Sequence, residues 1–136
     1  GIDNKNDRGR VIQKMIELAE TSFNPSSRWQ AASALELLSE MTDKDTALRI
    51  AATFHHLARV DADYEVRAKA CAGLSSIAAL HKEAVKPAVA TLVRVLSGDN
   101  RDDDGDVRHK AIRALTYISL HWPEPTLLDI NLTLLQ

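Results

Sequence analysis

The chain has 136 residues, 45% of them hydrophobic and only 4% aromatic, and its 17 basic and 19 acidic residues leave a net charge of −2. That composition supplies one domain's core, excludes a disordered or fibrous chain, and gives no global charge to draw it onto nucleic acid or anionic lipid. A single cysteine excludes an intramolecular disulfide framework, no apolar run reaches the roughly 18 residues of a membrane span, and no signal-peptide pattern opens the chain, so a cytoplasmic or nuclear location is expected and secretion is not.

Residues 1–6 are polar and read as a loose tail, and a first residue that is glycine rather than methionine predicts an excised or processed piece. A first helix is predicted over about 7–22, with Val11, Met15 and Leu18 on its apolar face. Asn24-Pro25-Ser26-Ser27 then supplies a cap and a proline suited to the first helical position, starting a second helix that reaches about Met41. Asp43 caps a third helix over 45–60, whose inward residues are Ile50, Phe54 and Leu57. A turn at 61–63 leads into a fourth helix ending near His81. The fifth, over 82–97, turns Val89, Val93 and Leu96 inward, and Pro87 should start it late or kink its first turn. An acidic loop at 98–105 precedes a sixth helix over 106–121, and Pro123–Pro125 introduces a last helix ending at Gln136.

The even-numbered helices are copies of one another. Ser27–Ser39, Val66–Ala78 and Val107–Ser119 align on Arg28, Arg67 and Arg108, with Ala31, Ala70 and Ala111, then Leu35, Leu74 and Leu115, in shared columns. The odd-numbered helices repeat at a spacing of 39 residues: Leu18, Leu57, Leu96 and Leu135 form one column, Val11, Ile50, Val89 and Leu128 a second, and Met15, Phe54, Val93 and Leu132 a third. A fixed period in this range predicts a solenoid, in which each two-helix unit buries its apolar face on its neighbours. The expected fold is therefore all-α, a single domain over 7–136: repeats at about 7–41, 43–81 and 82–121, plus a seventh C-terminal helix over 123–136. That last helix has no partner for Leu127, Ile130 and Leu134, which predicts a piece of a longer solenoid, or an end that self-associates or meets another chain.

The unit resembles the HEAT repeat. Val66-Arg67 and Val107-Arg108 match its Val-Arg pair, Asp61 and Asp102 each precede the arginine by six, and Pro87 sits where first helices of the family often carry proline. The first unit departs, with Ser22 at the aspartate position and Ser27 in place of valine. The resemblance implies a right-handed α-solenoid, an Asp–Arg ladder made by Asp61, Arg67, Asp102 and Arg108 between neighbouring units, and a scaffold or adaptor role.

Catalytic and cofactor signals are weak. His55 and His56 point about 100° apart on a helix, and position 55 shares a column with Ile16 and Arg94, which predicts a surface residue. No His-Glu pair of the kind used by iron-binding HEAT-like hydroxylases is present. Cys71 lies beside the Ala70 column as a small, half-buried packing residue. Asn100, Asp102, Asp104 and Gly105 imitate the start of a calcium loop, but position twelve is Ala111, so a solvated capping turn is favoured. No enzyme activity and no cofactor or metal is expected.

In this architecture the second helices line the concave face. Their non-core positions bring together Trp29, Lys69, His109, Lys110, Arg113 and Tyr117, the predicted partner-binding residues. The leading expectation is a protein partner, an acidic or helical peptide. The alternative is contact with a nucleic-acid backbone through Arg67, Lys69, Lys110 and Arg113, which the net charge of −2 disfavours.

Overall fold

Four short polar side chains set where helices begin. Asn24, Asp43, Asp63 and Asp104 each accept a backbone N–H from the first turn that follows, at 2.8–3.1 Å, so the cap expected of Asp43 holds and the one expected within residues 24–27 falls to Asn24. The computed structural model describes residues 5–123: α1 (Lys5–Thr21), α2 (Pro25–Ser39), α3 (Lys44–Val60), α4 (Tyr64–Leu80), α5 (Val85–Leu96) and α6 (Gly105–His121), with short 3-10 turns at Lys82–Ala84 and Gly98–Asn100. Pro87 lies in the first turn of α5, where its missing N–H costs nothing. The helix does start late, at Val85 rather than 82. Gly98, at φ +71°, takes the left-handed conformation that ends α5. The predicted seventh helix, with Leu127, Leu128, Ile130, Leu132, Leu134 and Leu135, lies outside the described residues.

Helices pair in sequence, α1 on α2, α3 on α4 and α5 on α6. Between pairs, α2 packs on α4 and α4 on α6, while α1 meets α3 and α3 meets α5. The odd helices thus form one row and the even helices another. The core lies between the rows and is made largely of the residues in the repeated columns: Ile50, Phe54, Leu57, Val66, Leu74, Ile77, Val89, Val107 and Ile118 are almost wholly enclosed.

One expected core position fails. Val11 is 49% exposed and Ile12 is buried in its place. The reason is positional: among the described residues, α1 packs chiefly on α2 and α3, so its inward face is turned toward that pair and Val11 is left exposed.

Two Asp–Arg pairs cross between units, but not with the four residues the resemblance implied: Arg28 supplies one rung, and Arg108 makes no carboxylate pair among the described residues. The fork of Arg28 grips Asp61, with Nε–Oδ2 at 2.9 Å and Nη2–Oδ1 at 3.1 Å. Arg67 grips Asp102 in the same way, at 2.8 and 3.2 Å. The remaining guanidinium nitrogen closes the turn inside its own unit: Nη1 of Arg28, Arg67 and Arg108 donates to the carbonyls of Ser22, Asp61 and Asp102. Ser22 therefore occupies the aspartate position without breaking the pattern, because that contact uses a backbone oxygen. These bidentate pairs are largely buried, with side-chain exposure of 13% and 5% for Arg28 and Asp61. The odd row has cross-links of its own, from Thr53 Oγ1 to Glu20 at 2.7 Å and between His55 Nδ1 and Thr91 Oγ1 at 2.7 Å. His55 is thus a partly buried residue joining two units rather than a surface one. Burial, with a smaller contribution from Arg59, lowers its pKa below the usual histidine value.

Candidate partner-binding trough

Along the even row, the middle helix carries alanine at two positions where α6 carries larger side chains, and at one of them α2 carries tryptophan. Ala68 stands between Trp29 and His109 in its column, and Ala72 between Ser33 and Arg113. The outcome is a recessed floor on α4, walled by α2 on one side and α6 on the other. An open groove of ≈ 640 Å³ is lined by Trp29, Tyr64, Glu65, Ala68, Lys69, Ala72, Asp106, His109 and Lys110. A second, of ≈ 260 Å³, continues from it and shares Ala72 and Lys110 before reaching Ser76, Arg113 and Tyr117. These volumes suit several residues of a peptide rather than one side chain. Ala68 and Ser75 on this floor are largely buried, because α4 is covered from both sides.

All six predicted residues line this trough, but they are not equivalent. Lys110, Arg113 and Tyr117 share one face of α6, at spacings of three and four. Lys110 and Arg113 are exposed and have no acidic partner among the described residues. Tyr117 is 45% exposed, with its ring 4.4 Å from that of His121. His109 is exposed at the edge.

Lys69 differs. Its Nζ is 2.8 Å from Glu36 Oε1 and 5.6 Å from the centre of the Trp29 ring. Glu36 also accepts a hydrogen bond from Ser76 Oγ at 2.7 Å. Lys69 is therefore a neutralised strut between α4 and α2, not the partner-facing cation expected. Its ammonium contributes a cation–π contact that orients Trp29. Trp29, 39% exposed, is held at the rim by this contact with α4.

Sequence reasoning missed the other end of the trough. Tyr64 is 42% exposed at the start of α4, beside Glu65, with Asp106 across the groove on α6. The pKa of the Tyr64 phenol is raised, chiefly by Glu65, then by partial loss of water, and then by Asp106. That end is electronegative. The signal was available as two acidic residues in the first turns of aligned helices, a placement that the helix dipole favours in any case.

Other candidate chemistry is absorbed by the fold. Cys71 is fully enclosed, not half-buried, and burial pushes its thiol pKa up to about 12. Asp102 is held by Arg67 and also accepts the backbone N–H of Asp104, whose own carboxylate caps α6. The acidic loop is thus occupied by the ladder and the cap. Among the described residues, no three His, Cys, Asp or Glu side chains converge on a common point for a metal ion, and no helix is long and apolar enough to cross a membrane. No protein-family model matches the chain, and no curated protein matches it either.

Proposed function

We propose that this chain is a HEAT-like right-handed α-solenoid segment acting as a non-catalytic scaffold or adaptor, and that it binds a protein partner along the α2–α4–α6 face. Support for the solenoid comes from the two rows of helices, the 39-residue columns and the ladder that crosses each unit boundary. The reducing cytosol or nucleus suits its single enclosed thiol.

The observation that carries the binding role is the trough, where Lys110 and Arg113, with no acidic partner among the described residues, stand beside half-exposed Trp29, Tyr64 and Tyr117. Aromatic residues next to cations in a recess are the composition of interface hot spots. Nucleic-acid contact is the weaker reading, because two of the four cations it needs are already used: Arg67 by Asp102 and Lys69 by Glu36. Glu65 and Asp106 also line the recess and would repel phosphates.

The test is a random-peptide display selection on the intact chain, with each binder mapped by backbone amide NMR and with duplex DNA and single-stranded RNA titrated in parallel. Shifts clustered on residues 29, 68, 72, 109, 110, 113 and 117 are expected, with no nucleic-acid binding at physiological salt. Binders seated on the α1–α3–α5 row would refute the reading. Salt-steep binding of duplex DNA through α6 would replace it with the nucleic-acid alternative.

A further inference from the structure

The trough has charge of opposite sign at its two ends, and that polarity narrows what can occupy it. At one end Glu65 and Asp106 face the recess across the first turns of α4 and α6, and the raised pKa of Tyr64 reports the negative field they make there. Toward the other end, Lys110 and Arg113 stand exposed on α6 with no acidic partner among the described residues, and Tyr117 follows them. Glu36, the carboxylate that lines the same groove as Arg113, is paired with Lys69 and accepts a hydrogen bond from the Ser76 hydroxyl. Its charge therefore does not cancel that of Arg113. Between the ends the floor is Ala68 and Ala72, with Trp29 at the rim.

Resting on the reading of this face as a protein-binding surface, we infer that the trough takes an extended peptide segment of opposite polarity. A basic residue lies at the Glu65–Asp106 end, a small or apolar residue sits over Ala68 and Ala72 beside Trp29, and an acidic residue lies at the Lys110–Arg113 end. The spacing follows from helix geometry. Asp106 and Arg113 are seven positions apart on α6, roughly 10 Å at 1.5 Å per residue. A polyproline-II segment, extended at about 3.1 Å per residue with three residues per turn, covers that distance in about three residues and brings positions three apart to the same face, so the motif is basic-x-x-acidic or its reverse. A uniformly acidic segment satisfies Lys110 and Arg113 but pushes its other end against Glu65 and Asp106. A uniformly basic one has the opposite fault. Discrimination of this kind comes as much from the repulsive end as from the attractive one.

The experiment is peptide selection on three forms of the full chain: wild type, K110E/R113E and E65K/D106K, each checked for unchanged helicity and melting. Charge-neutral variants K110Q/R113Q and E65Q/D106N replace any reversal that fails to fold. Wild-type binders should be enriched in one basic and one acidic residue three apart. Each reversed end should weaken them at least tenfold, and exchanging only the peptide residue that faces that end should restore affinity. Binders that map to this face but carry no charge separation, or that lose nothing on reversal at one end, would overturn the polarity while leaving the face intact. Absence of any binder on the face would overturn the polarity together with the binding role.

Discussion

Gly73→Ala tests the packing argument, because two effects of known size oppose each other there. Gly73 lies inside α4, where replacing glycine by alanine normally stabilises a helix by about 1 kcal/mol. Here the added Cβ would stand 2.5 Å from Phe54 Cε2, 2.6 Å from Cζ and 2.7 Å from Cδ2. Phe54 is completely enclosed, so its ring cannot swing into solvent to make room. Overpacking of this kind costs about 1–3 kcal/mol. Three ring atoms inside contact distance place the cost near the upper limit, leaving a net loss of about 2 kcal/mol after the propensity gain. For a chain of this size that is a fall of roughly 6–10 °C in Tm. Thermal and urea melts of Gly73→Ala should show the loss, whereas Gly9→Ala, with nothing within 4 Å, should gain up to about 1 kcal/mol. Phe54→Leu in the Gly73→Ala background should recover part of the loss, with a coupling of about 1–2 kcal/mol. A Gly73→Ala protein as stable as wild type, or strictly additive losses in the double variant, would refute the reasoning.

Other consequences follow from the fold. Asp102→Ala removes the acceptor of the largely buried Arg67 and should cost about 3 kcal/mol, whereas Asp99→Ala on the exposed side of the same loop should stay within about 0.5 kcal/mol; equal effects in urea melts would dismiss the ladder as a source of stability. The lowered pKa of His55 means that, as pH falls below about 6.5, the unfolded chain binds a proton that the folded chain resists. Stability present above that value is then lost as pH falls toward the lowered one, and His55→Gln should flatten the slope; an unchanged slope would place the titration elsewhere. Cys71 should resist thiol reagents in the native state and react at a rate set by unfolding, so rapid native labelling would contradict its burial. Trp122 Nε1 donates to the Ala78 carbonyl at 2.8 Å, and Trp122→Phe should cost about 1 kcal/mol in a chemical melt; no loss would show that water replaces the bond.

The sequence by itself determined the helices, their caps and their pairing. Those depend on local spacing and on short polar side chains that bond within their own turn, as Asn24 and Asp43 do. The repeated columns carried most of the core, and the Asp–Arg pairs announced contact between units. Tertiary structure alone decided which aspartate each arginine takes. Arg28 and Arg67 reach forward to the next unit because the even helices stand side by side, a neighbour relation 33 to 35 residues away in the chain. It also decided that Lys69 is neutralised and Lys110 is not, since only packing brings Glu36 of α2 to one and leaves the other facing open groove. The pairing of Phe54 with Gly73 is of the same kind. The Phe54 column holds Met15 and Val93, and the facing column holds Ala34 and Ala114. The largest side chain of one column meets the smallest of the other, a complementarity of volume that is fixed only when α3 lies against α4.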